Sequence, residues 1–262
     1  SNLKNKTFGL LFNKSSTRTR VSFEVGISDL GGRSLFLSPD EIQLGRGETI
    51  EDTAKVLSRY LDGVVIRTYA HSDILKFANN STIPVINGLT DLCHPCQVLA
   101  DLYTINEKKG TYKGKRIVYL GDCDNNMAYS WIMGAASLGY NLVLSGCDKY
   151  MPKKSLIKKT KIEIIKDPKK AVRFADVIYT DVWTSMGYEA ESRKRKRLLK
   201  PWQVNHNLLK LAKKDVIFMH CLPAHRGEEV TSDVIDGEQS VVFDQAENRL
   251  HVQKAILVKL FS

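Results

Sequence analysis

Short apolar runs rich in β-branched and aromatic residues recur along the chain. They lie at Thr7–Phe12, Val64–Ile66, Ile83–Ile86, Ile117–Leu120, Leu142–Leu144, Ile162–Ile164, Val177–Tyr179, Val216–Met219 and Val241–Phe243. Between most of them the apolar positions fall at helical spacing, as Phe23, Ile27 and Leu30 do after the first run. One helix is punctuated at both ends. Thr49 caps it with Asp52 three residues on, Ile50, Ala54, Leu57 and Leu61 form its buried stripe, and Gly63 ends it. Strands alternating with helices predict an α/β fold with mostly parallel sheets flanked by helices. The polar segment Asn106–Gly114, which carries two glycines, is the best domain boundary.

In open parallel sheets, ligands bind beyond the carboxyl ends of the strands. The chemically dense residues of this chain fall there repeatedly. Arg67 follows one predicted strand, and Asn87 with the approach to His94 follows another. Gly121-Asp122, leading to Asn125-Asn126, and Asp181 to Gly187 follow two more. His220-Cys221-Leu222-Pro223 and Asp244 to Arg249 complete the set. Six such segments describe a cleft.

The densest chemistry is Ser16-Thr17-Arg18-Thr19-Arg20, between the first strand and the first helix. A helix N-terminus presents free backbone N–H groups and a partial positive charge, which suit an anion. Two guanidinium forks match phosphate or carboxylate geometry. A single capping hydroxyl needs none of this company, so the segment predicts an oxyanion site, with phosphate the expected ligand.

Composition narrows the classes. At 262 residues, 43% apolar and 26% charged, the chain is an ordinary globular protein long enough for one large or two moderate domains. No apolar run approaches the roughly 18 residues that span a bilayer, so no membrane partner is expected. Ser1 to Lys6 leads into the first predicted strand without the profile of a secretory signal. Five cysteines, an odd number, are expected as free thiols in a reducing compartment, by default the cytoplasm. The net charge of +10 raises nucleic acid as a partner, and much of the excess lies in Lys149–Lys170 and in the run Arg193-Lys194-Arg195-Lys196-Arg197. No aromatic residues interleave with that run as a base-stacking platform requires. It reads as a solvated helix face beside Glu189 and Glu191, and no nucleic-acid partner is expected.

Three further patterns are weighed and set aside. Cys93-His94-Pro95-Cys96 looks like half a zinc site, but no second ligand pair follows at related spacing, so no metal is expected. His94 and Gln97, one turn apart at a helix start, instead put an imidazole and an amide on one face. Gly121 to Asn126 sits where a dinucleotide loop belongs but lacks its glycine pattern. Cys221 next to His220 invites a nucleophile pair, yet adjacent residues of a strand point to opposite faces.

In this order, Ser-Thr-Arg-Thr-Arg, His-Pro-x-Gln, Asp-x-Trp-x-Ser-Met-Gly, His-Cys-Leu-Pro and Glu-Asn-Arg resemble the motif set of the aspartate/ornithine transcarbamylase family. The resemblance runs from about Leu10 to Leu260, and the Ser-Met-Gly and His-Cys-Leu-Pro segments resemble its ornithine-specific members. It implies two α/β domains with the active site in the cleft between them. Residues 1–108 would bind carbamoyl phosphate and residues 109–245 ornithine, with a C-terminal helix over about 246–262 packing back on the first domain. By motif position, Ser16, Thr17, Arg18 and Thr19 would hold the phosphate, and Arg67 and His94 the phosphate and carbonyl side. Gln97 would take the carbamoyl amide, around which Cys221, Leu222 and Arg249 would close. Gln43 resembles a residue that reaches carbamoyl phosphate, in some members from a neighbouring subunit. Asn125, Asp181, Ser185 and Met186 would hold ornithine, and Arg67, His94, Asp181 and Cys221 would carry the catalysis. The implied reaction yields L-citrulline and phosphate, in a homotrimer, with no cofactor because carbamoyl phosphate arrives activated. Two alternatives stay open: a transcarbamylase for putrescine or an acylated ornithine, and a non-catalytic binding protein of the same fold.

Overall fold

The central strand-forming runs are buried on both sides, as parallel strands covered by helices on both faces must be, while the edge runs are partly exposed. A computed structural model of the chain describes residues 2–38, 42, 47–157, 160, 162–184 and 191–261. It divides into two compact units, residues 1–99 with 247–262, and residues 100–246.

In the first unit the chain runs β1 (Thr7–Phe12), α1 (Thr17–Asp29), β2 (Arg33–Leu37), α2 (Ile50–Tyr60), β3 (Gly63–Arg67), α3 (His71–Asn80) and β4 (Val85–Leu89). Among the described residues these strands form one parallel sheet in the order β2-β1-β3-β4. Alternation along β1 sends Phe8, Leu10 and Phe12 to one face, against Phe23 and Ile27 of α1 and Leu257 near the C-terminus. Leu11 turns to the other face, with Ala54 of α2 and Ile74 and Phe77 of α3. Helix α4 (Pro95–Lys109) continues across the division between the units.

The second unit continues with β5 (Arg116–Gly121), α5 (Asn126–Leu138), β6 (Asn141–Gly146), α6 (Lys154–Ile157), β7 (Ile162–Ile164), α7 (Pro168–Ala171) and β8 (Val177–Thr180). Next come α8 (Ser192–Leu199), α9 (His206–Leu209), β9 (Ile217–His220), α10 (Ser232–Ile235) and α11 (Val242–Phe261), which ends in the first unit. The sheet is parallel, in the order β7-β6-β5-β8-β9. Tyr119 and Tyr179, paired across β5 and β8, stack with ring centroids 5.6 Å apart, and Trp131 of α5 meets Tyr179 edge-on.

Both sheets reverse their winding direction, between β1 and β3 in the first and between β5 and β8 in the second. A crevice opens at the carboxyl ends of such a strand pair, where a ligand reaches the backbone.

Four sequence expectations need correction. Val241–Phe243 is not a strand: Val242 and Phe243 open α11. The segment Asp244 to Arg249 therefore lies within a helix and follows no strand. Arg33–Leu37, not expected, forms the edge strand β2. Helix α2 is capped by Thr49, whose side chain accepts from the Asp52 N–H, but it stops at Tyr60. Gly63 is instead the first residue of β3, where an added Cβ would sit 2.5 Å from the Phe261 ring. Close packing, rather than helix termination, calls for glycine there. Arg195 is not part of a solvated face but is buried.

Candidate active site

At the first unit's switch point, β1 delivers the chain into α1. Ser16 is extended and its Oγ accepts the Thr19 N–H at 3.1 Å, so it is the N-cap of α1. A cavity of about 880 Å3 opens over this turn, lined by Phe12, Asn13, Ser15, Ser16, Thr17 and Tyr69 among others. Arg18 is half-buried and Thr19 fully buried.

Arg67 ends β3, the neighbouring strand across the switch point, and its Nε donates to the Lys14 carbonyl at 3.1 Å. His94 and Gln97 flank the start of α4, with the Gln97 N–H donating to the His94 carbonyl. Arg249, on α11, donates from Nη1 to Gln97 Oε1 at 2.5 Å and from Nη2 to Thr19 Oγ1 at 3.1 Å. Thus Arg67 at the end of β3, His94 and Gln97 at the start of α4, and Arg249 on α11 converge with the turn at Ser16. Burial pushes the His94 imidazole well below the ordinary histidine range, and the positive charges of Arg249, Arg67 and Arg18 push it the same way. The ring is neutral at neutral pH, a hydrogen-bond donor that adds no charge to three arginines.

At the second unit's switch point stand the ends of β5 and β8. Asn125 caps α5: its Oδ1 accepts the Ala128 N–H at 2.8 Å and the Tyr119 hydroxyl at 3.3 Å, and its Nδ2 donates to the Asp122 carbonyl at 3.0 Å. Asp181 follows β8, and its Oδ1 accepts from the Val182 N–H at 2.8 Å and from the Cys221 thiol at 3.1 Å. Burial raises the Asp181 carboxyl above the usual range, against the lowering effect of His220, Cys221 and the Val182 N–H. Burial and then the Asp181 charge raise the Cys221 thiol well above its usual range. Cys221 is therefore a thiol and a donor, not a thiolate nucleophile.

His220 does not serve Cys221. Its Nδ1 accepts the Leu222 N–H at 2.9 Å, and its Nε2 lies 3.3 Å from Glu229 Oε1. Its backbone N–H donates to Gln245 Oε1 at 2.9 Å, and Gln245 Nε2 donates to Asp101 Oδ1 at 2.7 Å. Leu222 takes a positive φ of 56°, which a side-chain-bearing residue adopts at a cost, and this fixes the turn after Cys221.

Among the described residues, Asp181, His220 and Cys221, and separately His225, Glu228 and Glu229, have the composition of metal sites. The ligand atoms of Asp181, His220 and Cys221 lie within 4.8 Å of one another, but each is already engaged in the hydrogen bonds above. Cys93 Sγ accepts from Asn87 Nδ2 at 3.3 Å, and Cys96 Sγ donates to the Asn87 carbonyl at 3.4 Å. Both thiols are thus turned to a side chain and backbone of β4.

Of the expected site residues, the structure gathers Ser16, Thr17, Arg18, Thr19, Arg67, His94, Gln97 and Arg249 in the first unit. In the second it gathers Asn125, Asp181, Cys221 and Leu222 at neighbouring strand ends. Gln43, Ser185 and Met186 lie outside the described residues. Lys14, Asp101, Gln245 and Glu229 support these groups and were not singled out as site residues. Their signal is weak because a buried polar or charged residue looks like a surface one in sequence.

Known proteins resemble the chain along nearly its whole length. Residues 1–107 match the carbamoyl-P binding domain, and residues 113–260 the Asp/Orn binding domain, of aspartate/ornithine carbamoyltransferases. The chain is 59% identical over 261 residues to the ornithine carbamoyltransferase of Syntrophus aciditrophicus, with 97% of this chain and 86% of that one covered. It is 59% identical over 269 residues to the enzyme of that name from Oceanobacillus iheyensis, with 99% and 83% covered. The solved ornithine carbamoyltransferase from Pyrococcus furiosus superposes with a TM-score of 0.94 at 54% identity, covering 99% of this chain and 86% of that one.

Proposed function

The chain belongs to the aspartate/ornithine carbamoyltransferase family, and from that premise we propose that it transfers the carbamoyl group of carbamoyl phosphate to the δ-amine of L-ornithine. The products are L-citrulline and phosphate. The observation that carries the chemistry is the neutral, buried His94 among Arg18, Arg67 and Arg249 at a helix N-terminus. That set binds a doubly charged phosphate and keeps an uncharged donor for a carbonyl oxygen.

In this reading Ser16, Thr17, Arg18 and Thr19 hold the phosphate, and Arg67 and His94 reach both the phosphate and the carbonyl oxygen. Gln97, Cys221, Leu222 and Arg249 surround the carbamoyl amide, and Gln43 reaches carbamoyl phosphate. Asn125, Asp181, Ser185 and Met186 hold ornithine. The neutral δ-amine attacks the carbonyl carbon and a tetrahedral oxyanion forms. The carbonyl then re-forms as the C–O bond to phosphate breaks, phosphate departs with the bond electrons, and it takes up the proton that the amine nitrogen loses. Donors aimed at the oxyanion supply the largest catalytic effect, and losing one typically costs roughly 10²–10³ in rate. Arg18 stabilises the leaving phosphate as its charge grows.

Asp181 pairs with the substrate ammonium, and its hydrogen bond to Cys221 supports the assignment by fixing the carboxylate's orientation. The chain acts as a homotrimer in the cytoplasm, a reading supported by the family resemblance and by five free cysteines. No helix among the described residues is long and apolar enough to cross a membrane.

The test is citrulline formation from carbamoyl phosphate and L-ornithine, with putrescine and N-acetylornithine run in parallel. Turnover with ornithine alone is expected. Turnover with another amine overturns the ornithine half of the reading, and silence from a folded trimer overturns the catalytic reading altogether.

A further inference from the structure

Four members of the basic run on α8, Arg193, Lys194, Lys196 and Arg197, are exposed, whereas Arg195 is only 8% exposed. Its Nη1 meets Asp122 Oδ2 at 2.5 Å and also lies 3.4 Å from the Trp183 carbonyl. Its guanidinium lies over the Tyr150 ring, 4.5 Å from the centroid, and its Nε is 3.5 Å from Glu191. Asp122 is 2% exposed and follows β5. Its Oδ1 accepts the Asp124 N–H at 2.9 Å, and its carbonyl accepts the Asn125 amide at 3.0 Å. Trp183 stands two residues beyond Asp181, with its indole against Gly121, where an added Cβ would lie 3.0 Å from Nε1.

One guanidinium therefore ties the loop after β5, which ends at Asn125, to the loop after β8, which begins at Asp181. These strands flank the switch point of the second sheet. A buried ion pair is a poor source of stability, because desolvating both charges offsets their attraction. What it supplies here is geometry. A single guanidinium nitrogen, Nη1, addresses a carboxylate and a carbonyl on two separate loops, while the planar group lies over the Tyr150 ring.

We propose that Arg195 and Asp122 are positioning residues that set the spacing of Asn125 and Asp181 and thereby the affinity for the amino-acid substrate. This rests on the function proposed above.

The experiment measures steady-state kinetics with both substrates varied, for wild type, Arg195→Gln, Arg195→Lys and Asp122→Asn. In the Gln and Asn variants KM for ornithine is expected to rise about tenfold or more, a loss of one hydrogen-bonded charge pair's worth of positioning. KM for carbamoyl phosphate stays within about twofold of wild type, and kcat falls less than KM rises. Arg195→Lys returns the charge without the planar guanidinium over Tyr150 and restores only part of the ornithine affinity. A merely structural role would lower thermal stability and active fraction without splitting the two KM values. Should Arg195→Gln fail to fold, the Lys and Asn variants carry the same comparison. An unchanged KM for ornithine, or equal rises for both substrates, overturns the inference. If wild type itself turns over none of the amines, the proposed function has failed instead, so the two failures are distinguishable.

Discussion

In the first unit burial and charge act on His94 in one direction. Desolvation lowers the imidazole, three arginines lower it further, and the group ends neutral in a cationic setting. In the second unit burial raises Asp181 and Cys221, and their neighbours partly oppose it at Asp181. The capped helices facing the two switch points are both 13 residues long and use the same device, Ser16 for α1 and Asn125 for α5. The backbone solution is shared, and the side chains around it decide the ligand. Arginines and a neutral imidazole make one strand-end crevice fit an anion, while a carboxylate with a thiol donor makes the other fit an amine.

The largest effect expected of a single change is at Arg67. Arg67→Gln should lower turnover by roughly 10²–10³, as the loss of an oxyanion donor does. It should also raise the His94 pKa, readable by NMR titration, because one of the three cations that depress it is gone. Cys221→Ala removes the thiol donor to Asp181 and should lower kcat/KM for the amine by roughly 10- to 100-fold, the value of a hydrogen bond to a charged group. Binding of inorganic phosphate, followed by calorimetry, should separate this variant from Arg67→Gln, because only Arg67 is assigned to the phosphate.

Acid should sharpen the contrast, because the two buried groups carry opposite signs. The folded His94 pKa lies below the unfolded value near 6.5, so the unfolded chain takes up a proton first. Its contribution to stability is present above about pH 6.5 and is lost as pH falls, at up to about 1.4 kcal/mol per pH unit. Asp181 has a folded pKa above its unfolded value of 3.8, so its contribution is present at low pH and is lost as pH rises through the folded pKa. Urea unfolding at pH 7 and pH 5.5 should show a smaller acid loss in His94→Gln than in wild type. The smallest effects are at the caps. Ser16→Ala and Asn125→Ala should each cost about 1 kcal/mol in unfolding free energy. The first should weaken the phosphate substrate and the second the amine.

Much of this was legible in the chain because its signals are local. Seven runs expected as strands are strands, with ends shifted by a residue or two, since a buried parallel strand is a continuous apolar run. An eighth, expected at Ile83, begins at Val85, after Pro84, which has no N–H to give a ladder. Val241–Phe243 misled because three apolar residues have no readable period, and only the residues after them make a helix. Arg33–Leu37 was missed because an edge strand has one neighbour and needs few apolar positions. The site was legible where its residues are contiguous, at Ser16 to Thr19. It was least legible at Arg195, since no pattern within five consecutive cations says which one a distant carboxylate takes out of water.

The central claim is that the two units divide the recognition by charge. Its most direct test is calorimetric titration of carbamoyl phosphate into wild type, Arg67→Gln and Asp181→Asn without the amine substrate. The account predicts wild-type affinity in Asp181→Asn and binding weakened by at least about tenfold in Arg67→Gln. Equal weakening in both variants, or full affinity in Arg67→Gln, would contradict it.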